Sequence, residues 1–284
     1  MAEIAVIGSC WMEETIRFNK AMQYPDVESC QYLTFSSGDM RNVAHNLALL
    51  DADCIFCTKY GNDIDAVNMW NELNDLNVIL LGPTVNEPTQ RMINLYNDKQ
   101  KKALLSDVHT FDFMPSDLIP YPAFASCEYG VTDIKNFEVL DTLFTKAPKT
   151  KWILSRTIPS KSILSRAEGL ILTYRDIIAL GTEKDFNRIC YRFCAMGAKW
   201  VIVHMGAQGV FVYHNGEGTQ FPSLYELNGY ESGCYSAFVA GLTACLSKYQ
   251  PLIASVRFAQ EAEAYVYQVP TAINENIKEE LMKG

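Results

Sequence analysis

The stretch Tyr230-Glu231-Ser232-Gly233-Cys234-Tyr235-Ser236-Ala237-Phe238-Val239-Ala240-Gly241-Leu242 decides the fold. It reads as a loop that runs into a helix. Gly233 supplies the turn, Ser236 sits near the helix start, and the small, apolar run from Ala237 to Leu246 has no breaker except Gly241. The first turn of a helix leaves N–H groups unpaired and bears partial positive charge, so its N-terminus is a ready anion site. Glu231 lies in the same loop, either as a cap for the helix start or as a carboxylate that swings toward a bound hydroxyl.

Working outward, Trp200 to Val203 and Val210 to Val212 are strands, with Gly206 and Gly209 permitting a tight turn between them. Downstream, Val256 to Val266 reads as a helix rich in small residues and interrupted by Glu261 and Glu263. Ile4 to Ile7 is an all-apolar run ending in Gly8, as a buried parallel strand should be. Thr15 to Phe18 and Gln31 to Phe35 have strand composition and suit a small outlying sheet. The run from Ser36 to Leu50 opens a helix with Val43, Leu47 and Leu50 on one face. Pro88 to Tyr96 and Lys102 to Leu105 flank the polar turn 97–100 as a hairpin. Phe111 to Pro122 is irregular, Phe137 to Phe144 and Phe186 to Met196 are helices, and Trp152 to Leu154 and Leu170 to Leu172 are strands.

Cys54-Ile55-Phe56-Cys57 has the spacing of a metal or redox pair but lies in a strand pattern, where residues three apart point to opposite faces. Buried structural thiols are the reading there, not zinc. With 284 residues the chain fits one large α/β domain or two small ones. A formal net charge of -9 excludes a general binder of nucleic acid or of anionic membranes, whose partners demand basic surfaces. No apolar run approaches the roughly 18 residues of a membrane span. A strand begins almost at once, so no signal peptide is expected. Nine scattered cysteines suggest reduced thiols and a cytoplasmic protein. Neither a Walker motif nor a Gly-x-Gly-x-x-Gly after the first strand occurs.

The 230–242 stretch resembles the signature Asp-Thr-Thr-Gly-Ala-Gly-Asp-Ser-Phe-Val-Ala-Gly-Leu of the ribokinase-like (PfkB) family of sugar and nucleoside kinases. Its second half matches almost letter for letter. Other segments match in order: Gly8-Ser9 with Glu13 at a substrate-binding Asp, Gly38 and Asn42 within Gly-Gly-x-x-x-Asn-x-Ala, and Gly206 and Gly209 within Thr-x-Gly-x-x-Gly. The run Arg41-Asn42-Val43-Ala44 is most similar to the pseudouridine-kinase branch. The resemblance implies a three-layer α/β/α domain over residues 1–284 with a mostly parallel central sheet. It also implies a β-sheet lid near 13–36 and 88–107 that often forms a homodimer contact.

The resemblance further implies ATP and Mg2+ as cofactors and a small sugar or nucleoside as partner, bound by Glu13, Gly38 and Asn42. Glu13 is alternatively a solvated strand-end charge. Gly233, Cys234 and Tyr235 fall on the family's anion hole, Ser236 on its catalytic Asp and Tyr230 on its first Asp. Thr173 and Asp176 fall on the Asn-x-x-Glu that organises magnesium and phosphates, so Asp176 is the candidate metal ligand. Gly206, Gly209 and Gln260 fall on the nucleotide side. His204 replaces the family's Thr; as a lone histidine between strands it reads as structural, but it is also the candidate base at the phosphate end.

The departures carry a functional expectation. Serine is no general base near neutral pH, and losing a base typically costs about 10²–10⁴ in rate. Tyr235 stands where the family has a glycine, which predicts crowding of the anion hole by Cβ and ring, and strain if the backbone there has positive φ. Three readings follow: a binding protein without phosphotransfer, a kinase with a substitute base (His204, Asp176 or Glu231), and a dimeric regulatory or structural protein.

Overall fold

A computed structural model describes residues 3–18, 30–97, 100–106, 112–118, 120–181, 185–226 and 228–283. The chain opens with strands β1 (Ile4–Ile7), β2 (Trp11–Phe18) and β3 (Cys30–Ser37), then helix α1 (Asp39–Leu49). Next come β4 (Cys54–Cys57), α2 (Ile64–Asn74), β5 (Ile79–Leu81), β6 (Arg91–Asn97) and β7 (Gln100–Ser106). The middle holds α3 (Tyr121–Phe124), β8 (Tyr129–Thr132), α4 (Phe137–Lys146), β9 (Lys151–Ser155), α5 (Lys161–Leu164), β10 (Gly169–Thr173) and α6 (Tyr174–Ala179). It ends with α7 (Phe186–Met196), β11 (Trp200–His204), β12 (Val210–His214), β13 (Glu217–Phe221), α8 (Cys234–Ser247), α9 (Leu252–Val266) and α10 (Ile277–Leu281).

Nine strands form the main sheet in the order β13-β12-β11-β10-β9-β8-β1-β4-β5. It is parallel from β11 to β5, and the hairpin strands β12 and β13 close one edge antiparallel. Strand β1 shows why its run is apolar throughout: Ile4 and Val6 enter one core while Ala5 and Ile7 enter the other. Helices α1, α8 and α9 cover the first face, and α4 and α7 the second. Cys54 and Cys57 part in the same way, one into each core, so they do not form a pair. Asp63, Asn136 and Asp185 start α2, α4 and α7 by accepting first-turn N–H groups.

A second sheet, β3-β2-β6-β7, stands apart from the first. Strands β2 and β6 run parallel at its centre, with β3 and β7 antiparallel outside them. Only Gly8 to Cys10 separate β1 from β2, and only Gly38 separates β3 from α1, so this sheet rises directly from the carboxyl edge of the main one. The expected small sheet and hairpin are present, with β2, β3 and β7 longer than composition suggested and β6 starting later, at Arg91; residues 98 and 99 of the hairpin tip lie outside the described residues. Two readings need correction. The segment expected to be irregular contains a 3-10 turn at Pro115–Leu118 and starts α3 at Tyr121. Helix α8 begins at Cys234, three residues before the apolar run.

Candidate functional site

The carboxyl ends of β1, β4, β8 and β9 open onto a cavity of about 330 Å³ whose lining includes Trp11, Asp39, Lys59, Asp133 and Arg156. Ligands of parallel α/β sheets bind at this end of the strands. Asp133 accepts the Ser9 N–H at 3.1 Å and the Ser9 hydroxyl, and burial pushes its carboxyl up to about 6, with the neighbouring Asp39 carboxylate acting in the same direction. Lys59 donates to the Asp112 carbonyl at 2.9 Å and to Asp117 at 3.0 Å. Arg156 stands at φ 52 and donates to Asp39 Oδ2 at 2.7 Å, while its Nε lies 3.8 Å from Asp176 Oδ2.

The residues expected to bind substrate meet where the second sheet adjoins α1. Glu13 is buried on β2, where it accepts from the hydroxyls of Ser37 at 2.8 Å and Ser232 at 3.2 Å, and from the Asn94 amide. Asn42 donates to Ser37 Oγ at 3.1 Å and accepts from Arg41 at 3.3 Å. Glu13 and Asn42 therefore share Ser37, and Glu13 is not a solvated strand end. Gly38 sits at φ 117, where a Cβ would come within 2.7 Å of Cys10 Cα and of the Ser9 carbonyl. Only glycine lets α1 start this close to the β1–β2 link.

The N-terminus of α8 supplies the third component. Gly233 is left-handed at φ 79, and a Cβ there would meet the Ala272 carbonyl at 1.9 Å. Cys234 is buried with its thiol on the Tyr230 carbonyl at 3.2 Å, and Ser236 is 1 % exposed. Positive φ belongs to Gly233 and not to Tyr235, which occupies ordinary helical backbone, so the strain expected at Tyr235 does not arise. Its side chain is what fills space. The hydroxyl is 2.8 Å from Ser155 Oγ, the ring packs edge-on to His204 at 5.4 Å, and Arg156 lies 5.9 Å from the ring centroid. Burial pushes this hydroxyl well above the ordinary tyrosine range.

Of the residues that the resemblance placed on a nucleotide side, Thr173 and Asp176 form a capping box: Asp176 Oδ2 accepts the Thr173 N–H at 2.8 Å and its hydroxyl at 2.7 Å. Gly206 and Gly209 bound the turn from β11 to β12, and Gln260 donates to the Pro222 carbonyl at 2.8 Å. Glu261 is exposed, whereas Glu263 faces neither water nor an open site. It is buried and lies 2.8 Å from His204 Nε2 while accepting the Tyr225 hydroxyl at 2.5 Å.

The structure thus brings Glu13, Gly38 and Asn42 together, and separately gathers His204, Tyr235 and, through Arg156, Asp176. Sequence reading missed Asp39, Asp133, Arg156 and Glu263 as site residues. One signal was available: Asp133 directly follows β8 at the carboxyl edge of the main sheet, and Asp39 opens α1 directly after Gly38. Nothing in the spacing marks Glu263 as the partner of His204.

Residues 162–279, less than half of the chain, match the family model described as pfkB family carbohydrate kinase. No curated protein sequence gives a match. Solved structures match over the whole chain. A ribokinase from Giardia lamblia has a TM-score of 0.84 at 13% identity, with 100% of this chain and 99% of that one covered. A ribokinase from Thermotoga maritima has a TM-score of 0.79 at 19% identity, covering 100% and 99%. The Arabidopsis thaliana ribokinase complexed with ribose and ATP has a TM-score of 0.79 at 18% identity, covering 100% of both chains. At these identities the likeness shows the fold, which is the ribokinase-like α/β fold.

Proposed function

We propose that this chain is a ribokinase-fold protein that binds a small polyhydroxylated molecule, a sugar or nucleoside, and transfers phosphate to it slowly or not at all. The observation that carries this reading is the pair at the start of α8. Tyr235 puts its ring against His204 and Ser155 where the family signature has a glycine, and Ser236, buried at 1 % exposure, offers no carboxylate to take a hydroxyl proton. Binding is supported by planar polar groups and an aromatic around the carboxyl edge, among them Asp39, Asp133, Arg156 and Trp11. Planar carboxylates and guanidinium groups pair with vicinal hydroxyls, and an indole gives an apolar wall.

The magnesium-nucleotide implied by the family resemblance fits these residues poorly. Asp176 Oδ2 is committed to its own helix cap and faces the Arg156 guanidinium, which repels a second cation. His204 is engaged with Glu263, which argues against its service as a free base. The test is calorimetry with sugars and nucleosides, with and without magnesium-ATP, beside an assay of ADP release. Binding without turnover supports the reading; a rate in the range of about 1–100 s⁻¹ usual for kinases overturns it.

The lid sheet is also proposed as a homodimer contact, since its outer strand β3 exposes Tyr32 at 57%. Light scattering at micromolar concentration checks this, and a monomer refutes it. All nine cysteines are free, which supports a reducing compartment such as the cytoplasm.

A further inference from the structure

Alternate residues of a strand share a face, and β2 turns Glu13, Thr15 and Arg17 together beneath the lid. All three are buried, Arg17 at 6 % exposure. The Arg17 guanidinium lies over two tyrosine rings, 4.2 Å from the centroid of Tyr96 and 4.7 Å from that of Tyr230. Tyr96 is its register partner on β6, and Tyr230 comes from the loop that enters α8.

The in-plane hydrogen bonding is incomplete. Nη2 donates to the Pro270 carbonyl at 3.3 Å, whereas Nε and Nη1 are buried with no partner among the described residues. Aromatic faces attract the cation, but N–H donors point along the guanidinium plane and need acceptors there. The nearest buried carboxylate, Glu13, spends its oxygens on Ser37, Asn94, Thr15 and Ser232. On the paired strand, Asn94 Oδ1 is a buried acceptor that also lacks a partner among the described residues. A protein rarely leaves a rigidly held guanidinium and a nearby amide oxygen both unsatisfied under a lid.

We infer that Arg17 is the counter-charge for an acidic group on the ligand, so the molecule bound beneath the lid is a sugar or nucleoside bearing a carboxylate or a phosphate. This rests on the binding function proposed above and narrows it. Carboxylate and phosphate oxygens match the guanidinium fork, and the hydroxyls of such a molecule supply the donor that Asn94 Oδ1 lacks. The two rings fix the guanidinium in advance, so little side-chain freedom is lost on binding. Entry requires β2 and β6 to part from the 230–232 loop, exchanging the Tyr230–Arg17 and Ser232–Glu13 contacts for contacts to ligand.

Calorimetry on the full chain tests this with matched pairs: ribose against ribose 5-phosphate, glucose against gluconate, and uridine against uridine 5′-monophosphate. The acidic member of at least one pair should bind about 100-fold more tightly than its neutral partner, the usual scale of charge-assisted hydrogen bonds. The gluconate and phosphate arms tell which acid is preferred. Arg17→Gln should erase that preference while changing neutral affinity by less than about threefold. If Arg17→Gln does not fold, Arg17→Lys carries the test: it keeps the charge, loses the fork, and should lower the preference about tenfold. Neutral members binding as tightly as acidic ones overturns the inference and leaves the binding function standing. A preference for the acid that survives both substitutions also overturns it. If no compound of either kind binds, the binding function falls and this inference with it.

Discussion

Tyr235 and Ser236 are adjacent, yet they act on the site in different ways. Under the proposed function, Ser236 supplies no proton acceptor, while Tyr235 takes up room. Restoring one should therefore not restore activity. Ser236→Asp alone is expected to give no measurable ADP release, and because position 236 is buried, the new carboxylate should also lower stability by about 1–3 kcal/mol. Melting curves and a turnover assay read both effects, and brisk turnover from the single change would remove the steric role of Tyr235. At this scale the sequence was informative about identities and silent about partners. Glu13 and Asn42 were legible through their positions in the two family-like segments, and their side chains both hydrogen-bond Ser37. His204 with Glu263 and Arg156 with Asp39 are 59 and 117 positions apart, and no local spacing rule connects residues so distant.

Elements were more legible than contacts, because periodicity and turn chemistry are local. Helix α7 was read to its exact bounds, since its amphipathic stripe and the following Gly197 mark both face and stop. The 3-10 turn at Pro115–Leu118 was not, because a single turn has too few residues to show a period. Gly233 was read as a turn, and its geometry supports a sharp expectation. Gly233→Ala places a Cβ against the Ala272 carbonyl at positive φ, so it should cost about 2 kcal/mol or more in urea unfolding. Asp176→Ala removes the capping box of α6 and should cost about 1 kcal/mol by the same measurement. Equal stability of either variant with the parent would contradict the corresponding local account.

For the whole molecule, the carboxyl edge of the sheet carries a pH dependence. Burial raises Asp133 to about 6 from an ordinary value of 3.8. The folded state then holds this proton more tightly than the unfolded chain does, so stability falls as pH rises from about 4 through about 6. Below that window both states are protonated and Asp133 costs nothing. Above it the native protein carries a partly buried carboxylate at a cost on the order of 3 kcal/mol. Asp133→Asn should flatten this part of the profile, seen as the difference between the two proteins in urea unfolding from pH 4 to pH 7. An unchanged difference across that range would show that Asp133 does not titrate there.

The parallel pairing of β2 with β6 has a consequence for how the protein folds. Its cross-strand partners are far apart in sequence, as Glu13 and Asn94 are at 81 positions, and α1, β4, α2 and β5 lie between them. Closing so long a loop carries an entropic cost that local contacts, such as those between α8 and α9, do not. The second sheet should therefore gain amide protection late in refolding. In the native protein it should be among the first parts to open. A variant weakened anywhere would then lose ligand recognition while its main sheet was still intact.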